Sequence, residues 1–464
     1  MTLTQELVDW AWSVRAADVD AQVREAVARH VLDGLGATVG ALRTGAAPYA
    51  VEVARGLGGP SVSALLGTYE WVGPGSAALA TGTNMHALDF DDTHAGALIH
   101  VTATVLPIVL AVGEEVGAAD DDVVEALVAG FEVVLRIGAA APHGFHARGF
   151  HASSVCGVFG SALAACRLRG VARATAVDAL GIAGSQAAGS LEFLATGSST
   201  KQLHLGWAGL SGVVASDLAS AGADGPSSIL EGDAGLFRSY TGRSVDPSMV
   251  LDGLGHRFEL EQVTIKPEPV CQLSHAALDA VRELDRRPAP SEISSIEVEL
   301  PIDSVDIVGE PVVDKARPRT AYEAKFSLPW CLAVLLHGEQ LTVDTFNEAV
   351  LAREDLQALA CKVTILPVDP GVVAAAAPSR VRVLTHDGDV HEASVPGSRG
   401  TPERPLDDGS LEAKFLANVG GDHRSVAPVV KRVRALATPG ATPPATSIYE
   451  TVADLARRPF EEER

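Results

Sequence analysis

Val263-Thr-Ile-Lys266-Pro-Glu-Pro-Val-Cys271-Gln-Leu-Ser-His275 separates two textures of sequence. Up to residue 265 the apolar residues recur with the helical period. Val23, Val27, Val31 and Leu35 share one face, and three aspartates open a strong amphipathic segment at 120–140. Beyond the segment the pattern becomes strand-like. Residues 293–300 alternate, residues 362–368 read as a second strand, and 379–385 and 389–395 flank Asp387-Gly388 as a hairpin. Helices are expected between them at 274–284, 322–336 and 344–351. Helical periodicity returns at 411–418, 425–436 and 447–456, with Pro439, Pro443 and Pro444 as punctuation before the last helix. The chain therefore reads as mainly α. Residues 1–266 and 400–464 form a large all-helical domain from both chain ends, and residues 267–399 form a smaller inserted α+β domain. Pro267 and Pro269 stiffen the crossover. Lys266 and His275 flank it, at a kind of boundary that often binds ligands, although His275 also suits the start of a packed helix.

The densest chemistry lies in Asn84-Met-His86-Ala-Leu-Asp89-Phe-Asp91-Asp92-Thr93-His94, with His100 six residues on. A helix continued through Thr93 would place His86, Asp89 and Thr93 on one face and turn Asp91 and Asp92 elsewhere. His100 opens an apolar run that reads as a buried helix. Three readings fit these residues. A carboxylate beside a histidine makes an acid/base pair. The same groups can ligate a metal. A capped helix end with solvated aspartates needs neither. The Asp-x-Asp-Asp-Thr pattern also resembles the acid motif of class II terpene cyclases, but those sites are rich in aromatics and this chain is 5% aromatic.

Two further stretches carry candidates. His143-Gly-Phe-His146-Ala-Arg-Gly-Phe-His151 reads as a loop before a helix of small residues. His151, next to the helix start, is the member placed to meet a ligand, whereas His143 and His146 read as solvated. In Gly197-Ser-Ser-Thr-Lys201-Gln-Leu-His204, Lys201 follows a turn and has no charged neighbour in sequence apart from His204, which suits anion binding.

The 464 residues carry a net charge of −23 and are 47% hydrophobic. That charge argues against nucleic acid or an anionic membrane surface as partner, and an anionic substrate would need local cations. Five scattered cysteines without CxxC spacing point to reduced thiols rather than a disulfide framework or zinc knuckle. No signal peptide or membrane span is evident, so a cytoplasmic protein is expected.

Five stretches in order resemble the MmgE/PrpD family: His86-Ala-Leu-Asp-Phe-Asp-Asp-Thr, Gly149-Phe-His-Ala-Ser-Ser-Val-Cys-Gly, Gly181-Ile-Ala-Gly-Ser-Gln-Ala-Ala-Gly, Gly197-Ser-Ser-Thr-Lys-Gln-Leu-His-Leu-Gly-Trp-Ala and Ala324-Lys-Phe-Ser-Leu-Pro-Trp. The family includes 2-methylcitrate dehydratase, cis-aconitate decarboxylase and iminodisuccinate epimerase. The resemblance implies the same helical domain with an α+β insertion, a homodimer, and no required metal or organic cofactor. It implies Asp89, Thr93, His100 and His151 as catalytic residues, with Lys201, Lys266 and His275 as substrate-binding residues. The implied activity is a dehydratase or decarboxylase acting on a small di- or tricarboxylate by proton transfer at carbon, with His100 oriented by Asp89. The alternatives are an epimerase using the same proton abstraction, an inactive binding protein on this scaffold, and a metal-dependent hydrolase built on His86, Asp91, Asp92 and His94. Glu268 stands where many members have an aromatic, and a carboxylate there is expected to repel a tricarboxylate. Trp330 replaces a frequent tyrosine. The interval before His100 lacks the common His-Pro.

Overall fold

The computed structural model describes residues 1–438 and 447–458, so Pro439, Pro443 and Pro444 lie outside the described residues. The chain is mainly α-helical. It divides into two compact units. Residues 1–87, 91–263 and 411 onward form one, and residues 88–90 and 264–410 form the other. No helix among the described residues is long and apolar enough to cross a membrane.

The first unit is built on seven helices: α1 (Ala21–Thr44), α2 (Pro74–Ala87), α3 (Thr102–Val116), α4 (Asp120–Ala139), α5 (Ala152–Leu168), α6 (Arg173–Ser185) and α7 (Thr200–Ser220). Their ends follow local chemistry. The Asp20 carboxylate caps α1 by accepting from the Gln22 amide, and Gly45 closes it in the left-handed conformation. Helix α7 packs against α2, α5 and α6, and α5 also packs against α3 and α4. Small residues make this packing close. A Cβ at Gly206 of α7 would collide with the Leu79 carbonyl oxygen and Thr83 Oγ1 of α2, and one at Gly212 would collide with Ser161 of α5. Helix α7 begins at Thr200, so Lys201 lies in its first turn rather than in a preceding loop.

The C-terminal segments return to this unit and are tied to its start by charge. Lys414 Nζ lies 2.5 Å from the Asp33 carboxylate of α1. Arg24 of α1 donates to the Leu436 carbonyl (3.0 Å), and Arg432 donates to Asp120 at the head of α4 (3.0 Å).

The second unit holds a four-stranded sheet: β1 (Ile293–Pro301), β2 (Val363–Val368), β3 (Ser379–Thr385) and β4 (Val390–Val395), in the order β2-β1-β3-β4. The β1–β2 pair is parallel, with Ile296 opposite Val363. The other pairs are antiparallel, and β3–β4 is the hairpin expected around Asp387-Gly388. The buried residues of β3 alternate along the strand, as a half-covered sheet requires. Their face joins the helix His275–Arg282 in an apolar core with Trp330, Leu332 and Val334.

The helix expected over 322–336 is interrupted. It forms as Ala321–Lys325 and Leu328–Leu336, with the Ser327 hydroxyl capping the second piece through the Trp330 amide (3.1 Å). Pro329 is the cause. It has no N–H for the Lys325 carbonyl four residues back, and that carbonyl accepts from the Cys271 amide instead (2.9 Å). The four cysteines other than Cys361 are buried, and all five are free thiols.

Candidate active site

Helix α2 delivers the polar stretch and then stops. It ends at Ala87, whose carbonyl is held by Gln202 Nε2 of α7 (2.9 Å). Asp89 takes a positive φ of 53°, a left-handed conformation that a helix cannot continue through. The helical face expected for His86, Asp89 and Thr93 is therefore absent, and Thr93–His94 is a short strand. Asp91 does not point away either. It lies within the site and binds His86.

In the helical unit, His86, His100 and His151 come together, all buried. Their ring centroids are 4.7 Å (86–100), 5.7 Å (86–151) and 5.9 Å (100–151) apart. Each ring is aimed by a partner on its Nδ1. His86 Nδ1 lies 2.8 Å from Asp91 Oδ2, and since a carboxylate accepts, that nitrogen carries the proton. His100 Nδ1 donates to the Asp92 carbonyl (2.7 Å), with Thr93 Oγ1 at 3.1 Å and the Asp91 carboxylate at 3.8 Å. His151 Nδ1 lies 3.1 Å from His204 Nδ1.

The backbone supports this arrangement. His151 is the N-cap residue of α5, its amide bound to the Gly189 carbonyl. The Ser153 hydroxyl, two residues on, accepts from the His100 amide (3.0 Å). Behind His100, Asp92 is bound by His30 (2.8 Å) and by the Thr102 hydroxyl (2.5 Å). Burial pushes the Asp92 carboxyl up, but these partners outweigh it and hold the group below the usual carboxylate range.

Electrostatics favours neutral imidazoles at His151, His204 and His146. Burial drives His151 well below the usual histidine range, reinforced by His86, Lys201, His204 and His100. His204 is pushed down to about 4 by burial and by Lys201. His146 is pushed to about 4 by burial, His143 and Lys201. Lys201 is buried at the start of α7, and its charge bears on three of these rings.

The second unit carries its own polar group. Lys266 Nζ donates to the Asp89 carbonyl (2.8 Å) and carboxylate (3.2 Å). Lys325 is buried, donates to the Pro269 carbonyl (3.1 Å), and sits 4.2 Å above the Phe346 ring. Burial lowers its pKa to about 7, against the pull of Asp89 and Cys331. Glu268 is no exposed repelling charge. Its carboxylate pairs with Arg282 (2.7 Å) and Arg399 (3.2 Å). His275 is fully buried, with its two ring nitrogens against the Gln272 and Glu268 carbonyls, and burial together with Lys266 pushes it to about 4. Trp330 is a core residue.

The helical unit thus gathers Thr93, His100, His151 and Lys201, and the second unit pairs Asp89 with Lys266 and packs His275 inside. The hydrolase set is not gathered. Asp92 is engaged by His30 and Thr102, and His94 by Glu259 at 3.3 Å. Sequence reasoning put His86 on a helical face with Asp89 and in the metal set, gave Asp91 only the metal role, read His146 as solvated, and assigned no role to His204 or Lys325. For His204 a signal was present: it lies three residues after Lys201, on the same helical face.

The chain matches the MmgE/PrpD N-terminal domain over residues 5–247 and the MmgE/PrpD C-terminal domain over residues 269–430. It belongs to the MmgE/PrpD family. This family member is 29% identical to a cis-aconitate decarboxylase of Aspergillus terreus over 446 residues, covering 90% of this chain and 89% of that protein. It is 28% identical to the human cis-aconitate decarboxylase over 358 residues, covering 74% of this chain and 72% of the relative.

Proposed function

We propose that the chain is a lyase that needs no organic cofactor and removes CO2 from an unsaturated tricarboxylate of the cis-aconitate kind. The observation that carries this reading is the buried trio of His86, His100 and His151, each ring oriented through Nδ1. The cis-aconitate decarboxylases among its relatives supply the substrate class.

When such an acid loses a carboxylate as CO2, the freed electron pair forms a new double bond. The old double bond shifts its pair to the far carbon, which takes a proton. The enzyme must deliver that proton and hold the remaining carboxylates. His100 is the proton donor of this proposal. Its Nδ1–H is committed to the Asp92 carbonyl, so transfer runs through Nε2, and the Asp91 carboxylate at 3.8 Å favours the imidazolium that precedes transfer. His151, held neutral by burial, serves as a hydrogen-bond partner for the substrate. Thr93 steadies His100. Lys201 binds a carboxylate, a charged contact contributing ~1.5–3 kcal/mol.

For Asp89, Lys266 and His275 of the second unit, catalytic and substrate-binding roles are separated by kcat and KM of Asp89→Asn, Lys266→Met and His275→Gln. The reading also takes the chain as a cytoplasmic homodimer, to be checked by light scattering and cell fractionation.

The test is incubation with cis-aconitate and related acids in deuterated buffer, followed by NMR. CO2 release with one deuterium entering the product per turnover supports the reading. Loss of water would mark a dehydratase, and exchange at unchanged mass an epimerase. A folded protein that neither turns over nor exchanges any acid of the panel sinks it.

A further inference from the structure

We propose that His86, His100 and His151 form a reversible binding site for a zinc-like divalent cation, and that the ion, once bound, switches the enzyme off. The inhibitory half rests on the functional reading above; the binding half does not.

Three observations point to the ion. One ligand atom from each ring lies within 4.8 Å of the others, and all three residues are buried. A tetrahedral zinc ion with nitrogens at ~2.0–2.1 Å sets them ~3.3 Å apart, so shifts of about 1 Å close the site. Second, every ring is already aimed from behind. A carboxylate (Asp91) holds His86, a carbonyl and a hydroxyl (Asp92, Thr93) hold His100, and an imidazole (His204) holds His151. Outer partners of this kind fix the tautomer and orientation of metal-binding histidines and raise their basicity. On His86 and His100 the proton is committed to Nδ1, so the lone pair left for an ion is on Nε2. Third, the donor set is three nitrogens, which selects zinc, cobalt, nickel or copper over magnesium or calcium.

Inhibition follows from the same atoms. The lone pair that would ligate the ion on His100 belongs to the nitrogen that must exchange a proton with substrate. The nearby charge of Lys201, which bears on His151, opposes a second cation. That repulsion makes the site an exchangeable one rather than the seat of a permanently held ion.

The experiment uses the full chain, stripped with a chelator and titrated with cobalt(II), whose tetrahedral complexes absorb strongly in the visible. One equivalent is expected to bind and to be displaced by zinc. His86→Ala and His151→Ala should each weaken binding at least ~10-fold. Asp91→Asn, which keeps all three ligands, should weaken it by roughly the same factor, with circular dichroism confirming the fold of each variant. Cys361→Ser, which removes the one exposed thiol, should leave cobalt affinity unchanged. With cis-aconitate as substrate, zinc should lower turnover over the concentration range that displaces cobalt, and chelator should restore it. Turnover without any cobalt spectrum overturns the proposal. So does a spectrum that survives His86→Ala, because the ion then sits elsewhere. Cobalt bound at these rings in a protein inert toward every acid upholds the site and sinks the functional reading instead.

Discussion

The histidine trio of the helical unit and the carboxylates of the second unit treat buried charge in opposite ways. In the first, the chemistry is concentrated in buried imidazoles aimed by one carboxylate, one carbonyl and a further imidazole, with burial holding His151 neutral. In the second, the charges are paired inside the unit: Asp89 with Lys266, and Glu268 with Arg282 and Arg399. Neutral rings cost little to bury and can change protonation during a reaction. Paired ions are costly to break and hold a shape. Substitutions in the trio should therefore be read in turnover, and substitutions in the Glu268 network in stability.

The sharpest way to break this contrast is His100→Gln. Turnover of cis-aconitate should fall roughly 10²–10⁴-fold, while the urea midpoint stays close to wild type. A variant that unfolds readily yet turns over normally would reverse the assignment of this unit. Glu268→Gln should do the opposite. It leaves Arg282 and Arg399 facing a neutral amide and should lower unfolding free energy by about 3 kcal/mol, as denaturant titration would show.

A pH series tests both units together. His146, His204 and His275 have folded pKa values near 4, below the usual 6.5. Between those values the unfolded chain binds more protons, so stability rises with pH across the window. It should be complete above pH 6.5 and lost as pH falls toward 4, by on the order of 3 kcal/mol for each histidine. A melting temperature flat from pH 7 to pH 4 would contradict these burial effects. The smallest effect is expected for Cys361→Ser, whose exposed thiol carries no packing load. Stability should change by less than about 0.5 kcal/mol.

Much of this was legible in the sequence, because periodicity reports which face of an element is buried. The hairpin around Gly388 and the helices α4 and α5 are local patterns, and local patterns suffice. The end of α2 was not legible, because nothing in Leu88-Asp89-Phe90 except an aspartate tolerant of positive φ marks the break. The partner of His86 followed from that break, since Asp91 reaches it only once the helix has stopped. Lys325 stayed hidden for another reason. Its stretch, Ala324-Lys-Phe-Ser-Leu-Pro-Trp, is one of the five that resemble the family, but whether a lysine is solvated or buried under Phe346 depends on contacts far along the chain. The pairing of Glu268 was hidden similarly, since its arginine partners lie 14 and 131 residues away.

The ties between α1 and the C-terminal segments also set a clock. Arg24 finds the Leu436 carbonyl 412 residues further along, and at ~5–20 residues per second a ribosome takes ~20–80 s to make that stretch. For that interval α1 exists without its closing partners, and Asp33 waits for Lys414. The nascent histidine site is complete in sequence well before its supporting unit can shut, so the late, C-terminal residues decide when the protein becomes a finished catalyst.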